Sequence, residues 1–230
     1  MSDLRVRDTH ARELMDDPGC DRVRLERTYR QFDVVNRLVS GWRRLYVSTL
    51  RPVLARSARP TLLDVGFGGG DVPRHLAAWA ARDGLGLQVT AIDPDPHALA
   101  YAGRLRGPVR FRQASSTELA QAGERFDVVV SNHLLHHLTP GDLQQLLADS
   151  ELLTDQLALH NDLRRSRVAH TTFGLVTRPW ARSSFLHTDG TISIRRSYRA
   201  VELAGVRAGW RVQPLHPYRL LLRWEPETVA

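Results

Sequence analysis

Short apolar runs alternate with longer amphipathic segments along most of the chain. Runs of this kind are typical of buried strands, and the segments between them are typical of helices packed on a sheet. The alternation predicts an α/β fold. The predicted strands are 62–65, 88–93, 109–115, 128–130, 156–162, 210–216 and 218–224.

Apolar residues recur at helical spacing before the first predicted strand. One such segment covers residues 22–40 and a second covers 42–55. Gly41 separates them, and Pro52 predicts a kink or a boundary within the second. This pattern predicts a helical cap at residues 1–58, ahead of the core.

The core is expected to span residues 59–230. A segment at about 163–188, after the fifth predicted strand, is rich in arginine, serine and aromatic residues. We interpret it as an inserted substrate lid, because connections at the carboxyl end of a sheet commonly carry function. The pair Asp189-Gly190 predicts a turn. Residues 198–208 predict a helix that is ended by Gly209.

A glycine-rich turn follows the first predicted strand. Gly66, Gly68 and Gly70 alternate with other residues, and Asp64 and Asp71 stand on either side of them. Glycine lets a ligand approach the backbone closely because it has no Cβ atom. The two carboxylates would repel a pyrophosphate, so the loop suits a ligand that carries a cationic amine and no phosphate. S-adenosylmethionine fits this description, and the glycine spacing disfavours a NAD-dependent oxidoreductase.

Two stretches resemble the class I S-adenosylmethionine-dependent methyltransferases. The run from Asp64 to Gly70 resembles the first motif of that family, and residues 125–138 resemble its fourth motif with the Leu-His-His-Leu segment that follows. The resemblance extends more loosely over residues 22–224. It implies a Rossmann-like sheet of seven strands with helices on both faces, an N-terminal helical cap and an insertion after strand 5. Within the family, the chain is similar to small-molecule enzymes of bacterial secondary metabolism.

The cofactor is expected along the carboxyl ends of the first strands. Asp93 ends the second predicted strand, where an acid can accept hydrogen bonds from both ribose hydroxyls. Ser115 stands where many members of the family carry an aspartate that binds the adenine amino group, so this contact is expected to be weaker. The expected cofactor-binding residues are Asp64, Gly66, Phe67, Gly68, Asp93, Pro94, Ala114, Ser115, Asn132 and Arg43.

Histidines cluster after the fourth predicted strand. A histidine can take the proton of a phenol or an acid near neutral pH. His133 lies closest to the strand exit and is the first candidate for this role, with His136 second. Each could instead be a surface histidine or a hydrogen-bonded core histidine. The expected substrate-binding residues are Tyr29, His137, Asn161, Asp162 and Arg164.

A zinc site is the rival interpretation of the His-x-x-His-His pattern. The pattern lacks a further ligand set on a strand and a nearby cysteine. Cys20 is the single cysteine, which excludes a cysteine metal cluster and an internal disulfide. The sequence therefore predicts no metal.

The basic residues are all arginine, 32 in number, and the chain has no lysine. This composition excludes Schiff-base enzymes, pyridoxal-phosphate enzymes and the lysine P-loop. Net charge is +5 over residues 1–60, −5 over 61–160 and +7 over 161–230. The basic flanks are either solvated surface or a cap that attracts an anionic substrate.

The predicted function is methyl transfer from S-adenosylmethionine to a small molecule, as O-methylation of a phenolic or enolic metabolite of polyketide type. C-methylation of a similar ring, RNA methylation and a non-catalytic cofactor-binding protein are alternatives. The chain lacks an Asn/Asp-Pro-Pro-aromatic motif after the fourth strand, so a nucleic-acid partner is not expected. No apolar run is long enough to span a membrane, and we expect a cytoplasmic protein. A homodimer is left open.

Overall fold

The computed structural model describes residues 4–227, so the outermost three residues of the predicted cap and of the predicted core lie outside the described residues. Seven strands form one sheet in the order β3-β2-β1-β4-β5-β7-β6, and β7 runs antiparallel to both β5 and β6. This architecture confirms the predicted fold class. The strands are β1 Thr61–Val65, β2 Gln88–Asp93, β3 Val109–Gln113, β4 Phe126–Asn132, β5 Thr154–Leu163, β6 Arg211–Leu215 and β7 Arg219–Trp224.

Helices cover both faces of the sheet and the carboxyl ends of its parallel strands. Short 3₁₀ turns lie at Leu14–Asp16, Leu135–His137 and Arg178–Trp180, and a π-helical turn at Tyr46–Leu50 joins α2 to α3. The helices are α1 Arg22–Val39, α2 Trp42–Leu45, α3 Arg51–Leu54, α4 Asp71–Arg82, α5 Pro96–Ala102, α6 Ser116–Gln121, α7 Pro140–Leu153, α8 Arg167–Thr177, α9 Leu186–Arg196 and α10 Ala200–Leu203.

Two apolar cores form because the central strands are buried on both faces. Leu62, Val128 and Val130 pack with α2 to α4 on one face, while Leu63 and Val129 pack with α7 on the other. Successive residues of a strand point to opposite faces, so each of these strands contributes side chains to both cores. Among the described residues, no helix is long and apolar enough to cross a membrane.

The predicted turn at Asp189-Gly190 is wrong, because both residues lie inside α9. The Asp189 carboxylate accepts the backbone N–H groups of Leu14 and Met15, each at 2.9 Å. The Asp189 side chain, which would otherwise favour a turn, therefore has its hydrogen-bond partners in a segment that is distant in sequence. Gly190 lets the ring of Phe173 on α8 approach closely, since a Cβ atom there would lie 2.3 Å from a ring carbon.

One other local prediction is also corrected, and the histidine segment forms a short turn. The helix expected at 198–208 is reduced to the single turn Ala200–Leu203. His136 and His137 lie on the 3₁₀ turn Leu135–His137 and not on a longer helix.

Candidate active site

A cavity of about 370 Å³ opens at the carboxyl ends of β1, β2 and β4. The strand order reverses between β1 and β4, and open α/β sheets bind ligands at such a switch point. The 3₁₀ turn at Leu14–Asp16 and the helix α1 contribute the wall opposite the sheet. The cavity therefore joins the predicted cap to the predicted core.

The glycine loop forms one end of the cavity. Gly66, Gly68 and Gly70 all adopt positive φ angles, of 75°, 50° and 71°. A Cβ atom on Gly69 would lie 3.0 Å from Tyr29, and one on Gly70 would lie 2.9 Å from a ring carbon of Phe111. The loop thus needs glycine both for its backbone and for its close packing.

Asp93 is fixed at the end of β2 beside this loop. Its Oδ2 accepts the backbone N–H of Gly68 at 2.9 Å, and its Oδ1 accepts that of Asp95 at 3.0 Å. Each carboxylate oxygen can accept a further bond. Burial raises the pKa of Asp93 above its ordinary value. The position fits the ribose hydroxyls of an adenosine.

Asp64 is buried on the cavity wall, and its Oδ1 has no hydrogen-bond partner among residues 4–227. Burial, together with the neighbouring Asp71 and Asp93, raises the pKa of Asp64 well above its ordinary value. Asp71 accepts a hydrogen bond from Asn36 Nδ2 at 2.9 Å. Buried carboxylates without a cation beside them favour a ligand that brings positive charge. The ammonium of S-adenosylmethionine meets that requirement.

The opposite end of the cavity is organised by Asp162 on β5. His136 Nδ1 donates to Asp162 Oδ1 at 2.7 Å, and the His136 backbone N–H donates to Asp162 Oδ2 at 2.8 Å. Burial opposes charge on His136, but Asp162 and Glu13 together raise the pKa of this histidine to about 9. Burial likewise opposes charge on Asp162, yet His136 lowers the pKa of that carboxyl well below its usual range. Asp162 itself stands behind the cavity wall.

Glu13 is a candidate site residue that the sequence did not reveal. It is 3% exposed, and its Oε1 lies 3.4 Å from His136 Nε2 and 3.8 Å from His137 Nε2. Ser193 Oγ donates to the same oxygen at 2.9 Å. Asp16 Oδ2 lies 3.2 Å from His137 Nδ1. Residue 13 lies in a polar stretch without periodicity, so no local signal marked it.

His133 has a different environment from its neighbours. Its backbone N–H donates to the Asn161 carbonyl at 3.0 Å, and its φ is 59°. Arg219 of β7 donates to its Nε2, to Asn132 Oδ1 at 2.7 Å and to Asn161 Oδ1 at 2.8 Å. Burial and then Arg219 lower the pKa of His133 well below its ordinary value. His133 is therefore neutral, with its Nε2 lone pair engaged.

Most of the predicted site residues share this cavity. Its wall includes eleven of them: Tyr29, Asp64, Gly66, Phe67, Gly68, Asp93, Pro94, Asn132, His133, His136 and His137.

Other predicted site residues lie off the wall. Arg43 places its guanidinium over the rings of Tyr46 and Trp79, 5.6 and 5.3 Å from their centroids. Ser115 is the N-cap of α6, with its Oγ 2.9 Å from Glu118 Oε2. These contacts occupy both side chains in packing and in capping.

The remaining predicted residues stand beside or behind the cavity. The Ala114 backbone N–H donates to the Asp93 carbonyl at 3.3 Å. Asn161 is buried and donates to the Ser40 carbonyl at 2.8 Å. Arg164 lies over the ring of Tyr218, 5.7 Å from its centroid.

Comparison with known proteins points to one class. Residues 62–153 match a family model described as a methyltransferase domain. The ubiquinone biosynthesis O-methyltransferase of Azorhizobium caulinodans is 37% identical over 92 residues, which are 36% of this chain and 34% of that protein. The release factor glutamine methyltransferase of Koribacter versatilis is 38% identical over 81 residues, which are 34% of this chain and 28% of that protein. The chain thus spans about a third of the length of these curated relatives.

Solved structures share the fold. The plantazolicin methyltransferase BpumL in complex with SAH superposes with a TM-score of 0.66 and 12% identity, over 92% of each chain. Human N-acetylserotonin methyltransferase in complex with SAM gives a TM-score of 0.60 and 11% identity, over 89% of this chain and 56% of that one.

Over residues 62–153 the chain matches a methyltransferase domain, and its fold and glycine loop resemble those of the class I S-adenosylmethionine-dependent methyltransferases. This agrees with the resemblance that the sequence predicted. The methyltransferase names of these relatives, and the SAH or SAM bound in the two solved structures, agree with the predicted enzyme class and the predicted cofactor.

Proposed function

We propose that this methyltransferase acts on an oxygen atom of a small molecule, a phenol or an enol of polyketide type. The observation that carries the proposal is the single cavity that joins the acidic glycine loop to the wall formed by Glu13, His136 and His137. The named reactions of the relatives support it, since six of those found are ubiquinone biosynthesis O-methyltransferases.

One end of the cavity has the groups that S-adenosylmethionine needs. When bound, this cofactor supplies an electrophilic methyl group on its sulfonium. Asp93 would hold the ribose hydroxyls, and the unpartnered Asp64 with Asp71 would attract the ammonium. The Gly66–Gly70 loop leaves room for a ligand against the backbone.

The other end has groups that accept a proton. A phenol or enol oxygen becomes a good nucleophile when its proton leaves. Glu13 presents a carboxylate toward the cavity, beside His136, whose raised pKa keeps it cationic near neutral pH, and beside His137. Asp162 fixes the ring of His136 so that Nε2 faces this space. His133 is assigned to shaping the wall, because Arg219 engages its Nε2. The proposed proton acceptor therefore moves from His133 to the group around His136.

The cap completes the enclosure. Tyr29 and Phe32 of α1 lie over the cavity, and the turn at Leu14–Asp16 holds Glu13 in place. Alignment of the two reactants and exclusion of water supply most of the rate in such a displacement. A cytoplasmic location, a role in secondary metabolism, the absence of a nucleic-acid partner and a homodimer all remain predictions.

Calorimetry with S-adenosylhomocysteine tests the cofactor end. Asp93→Asn is expected to bind at least about tenfold more weakly than the wild type, because a carboxylate that accepts hydrogen bonds from charged or hydroxyl groups contributes more than 1 kcal/mol. Asp155→Asn is the matched control, since Asp155 is half exposed and pairs with Arg125 away from the cavity. Equal losses in the two variants would contradict the assignment of Asp93.

Mass spectrometry with a panel of phenols and enols tests the acceptor end. Addition of a methyl group to an oxygen is expected with the wild type. His136→Gln should lose turnover at least about a hundredfold while it keeps its affinity for S-adenosylhomocysteine. Methylation exclusively at carbon or nitrogen, or full turnover in His136→Gln, would overturn the proposal.

A further inference from the structure

Three side chains converge at the acceptor end of the cavity, and we name them the Glu-His-His cluster: Glu13, His136 and His137. Glu13 Oε1 lies 3.4 Å from Nε2 of His136 and 3.8 Å from Nε2 of His137. One ligand atom from each residue lies within 4.8 Å of the other two. Two donors that bind one tetrahedral zinc ion at about 2.1 Å are separated by about 3.4 Å. The cluster is therefore close to the size of a metal site.

Carboxylates stand behind both histidines. Asp162 accepts a hydrogen bond from Nδ1 of His136 at 2.7 Å, and Asp16 lies 3.2 Å from Nδ1 of His137. This arrangement favours a ring proton on Nδ1 of each histidine, so a metal ion would take the place of any second ring proton, at Nε2. Histidines that bind metals show the same pattern, with a carboxylate that orients the ring and raises its basicity.

The Nε2 atom of His136 is buried and makes no well-formed hydrogen bond to a described residue, and its polar neighbour, Glu13 Oε1, lies 3.4 Å away. The whole residue is 1% exposed. Buried polar atoms in proteins almost always have a partner, so an unpartnered nitrogen aimed at a carboxylate points to a missing ligand.

The turn that carries the two histidines is held rigidly. Arg7 Nη2 donates to the carbonyls of His136 and Leu138, each at 3.0 Å, and Arg196 donates to the carbonyls of His136 and His137, each at 3.2 Å. Both arginines act on backbone oxygens, so the side chains of the histidines stay directed at Glu13. A metal site requires ligands that are held in this way.

We propose that the Glu-His-His cluster binds a divalent transition-metal ion of the zinc type. Two imidazoles and one carboxylate are a ligand set for catalytic zinc, which keeps a further position open. The cluster lines the cavity, so the open position faces the proposed acceptor. The sequence predicts no metal because the histidine pattern lacks a ligand set on a strand and a nearby cysteine, whereas here Glu13 of the N-terminal segment supplies a carboxylate.

Only the role of the ion rests on the proposed function. A divalent ion lowers the pKa of an oxygen that binds to it, so with the ion bound it would polarise a phenol or an enol at this wall, in place of direct proton transfer to the cluster. Binding of the ion itself is independent of methyl transfer.

Titration of tag-free, chelator-treated protein with Co²⁺, followed by visible absorption, tests the proposal. The wild type is expected to bind one ion and to show the bands of nitrogen and oxygen coordination. Glu13→Gln and His137→Gln should each bind at least about tenfold more weakly. His216→Gln, at an exposed position beyond β6, is the matched control and should bind as the wild type does. His75→Gln removes the second described group of possible ligands, Asp33, Asp71 and His75, and should also leave the cobalt bands unchanged.

The same samples are titrated with S-adenosylhomocysteine, which also reports that each variant is folded. Two results would overturn the metal site and leave the proposed function standing. In the first, the wild type binds S-adenosylhomocysteine normally but gives no cobalt spectrum. In the second, the cobalt spectrum persists in both Glu13→Gln and His137→Gln. A cobalt spectrum without any affinity for S-adenosylhomocysteine would instead contradict the proposed function. Loss of the spectrum in His75→Gln alone would move the ion away from the cluster and refute the proposal.

Discussion

At the scale of single residues, the Arg219 guanidinium is unusual because it is a buried charge without a carboxylate among its described hydrogen-bond partners. It is 1% exposed, and its hydrogen bonds go to neutral partners, namely the side chains of Asn132, Asn161 and His133 and the Asn161 carbonyl. Burial lowers the pKa of Arg219 to about 10, so it remains charged near neutral pH. A buried cation tied to neutral groups connects the ends of β4, β5 and β7.

Arg219→Met is expected to lower the free energy of unfolding by about 1 to 3 kcal/mol, because it leaves the buried amide oxygen of Asn161 unpaired. The Asn132 oxygen loses one of its two donors and keeps Trp42 Nε1 at 3.0 Å. Arg211→Met is the matched control on the exposed start of β6 and should change stability by less than about 0.5 kcal/mol. Urea denaturation measures both. A loss for Arg219→Met no larger than for Arg211→Met would show that the network contributes little.

His160 is a buried histidine that should make the stability of the protein depend on pH. It is fully buried on β5, with Nδ1 2.8 Å from Ser131 Oγ and Nε2 3.1 Å from Ser150 Oγ. Burial lowers the pKa of His160 to about 3. A histidine in the unfolded chain has a pKa near 6.5, so between about pH 6.5 and pH 3 the unfolded chain binds a proton at this position and the folded chain does not. This histidine therefore reduces stability as the pH falls from about 6.5 toward 3.

His160→Gln should weaken the dependence of stability on pH, since glutamine can pair with both serines but does not titrate. Between about pH 6.5 and pH 4.5, the slope of unfolding free energy is expected to fall by up to roughly 1.4 kcal/mol per pH unit. Urea midpoints at several pH values measure it, and His216→Gln should keep the wild-type slope. Equal slopes in wild type and His160→Gln would mean that the buried histidine already carries its proton.

At the scale of elements, the sequence predicted strands better than short helices. The run 88–93 is β2 as predicted, because its apolar residues Val89, Ala91 and Ile92 are buried in the sheet. The turn predicted at Asp189-Gly190 is wrong for two reasons. Gly190 packs between α8 and α9, and the Asp189 carboxylate accepts hydrogen bonds from the backbone of Leu14 and Met15. Such partners lie more than a hundred residues away, so no local pattern could reveal them.

The contact between α8 and α9 gives a paired test. A Cβ atom on Gly190 would lie 2.3 Å from the Phe173 ring, while one on Gly174 would lie 3.7 Å from Thr191, an ordinary contact. Gly190→Ala should therefore destabilise the protein by about 1 to 3 kcal/mol. Gly174→Ala should be neutral or stabilising by up to about 1 kcal/mol, because alanine favours the helix. Thermal unfolding distinguishes them, and equal stability of the two variants would show that the helices can separate freely.

At the scale of the whole molecule, the two ends of the cavity differ in how well the sequence revealed them. The cofactor end comes from one continuous strand, loop and helix, so its residues were predictable from Asp64 to Asp71. The acceptor end joins Glu13, His136 and Ser193 from three distant segments. Only the folded chain brings them together.

The charge pattern also has a structural meaning at this scale. Arginines of the two basic flanks bind backbone carbonyls: Arg7 and Arg196 hold the histidine turn, and Arg165 donates to the carbonyls of Leu4 and Ser197. Part of the positive charge therefore ties the N-terminal segment and α9 to the core. The acidic middle third holds the cofactor end of the cavity, which suits a ligand with positive charge.

Side-by-side calorimetry of the wild-type protein with S-adenosylhomocysteine and with NADH tests the central claim most directly. The carboxylates around the glycine loop should accept the first compound, with its ammonium, and reject the diphosphate of the second. We predict binding of one S-adenosylhomocysteine per chain and at least about a hundredfold weaker binding of NADH. Equal or tighter binding of NADH would contradict the account.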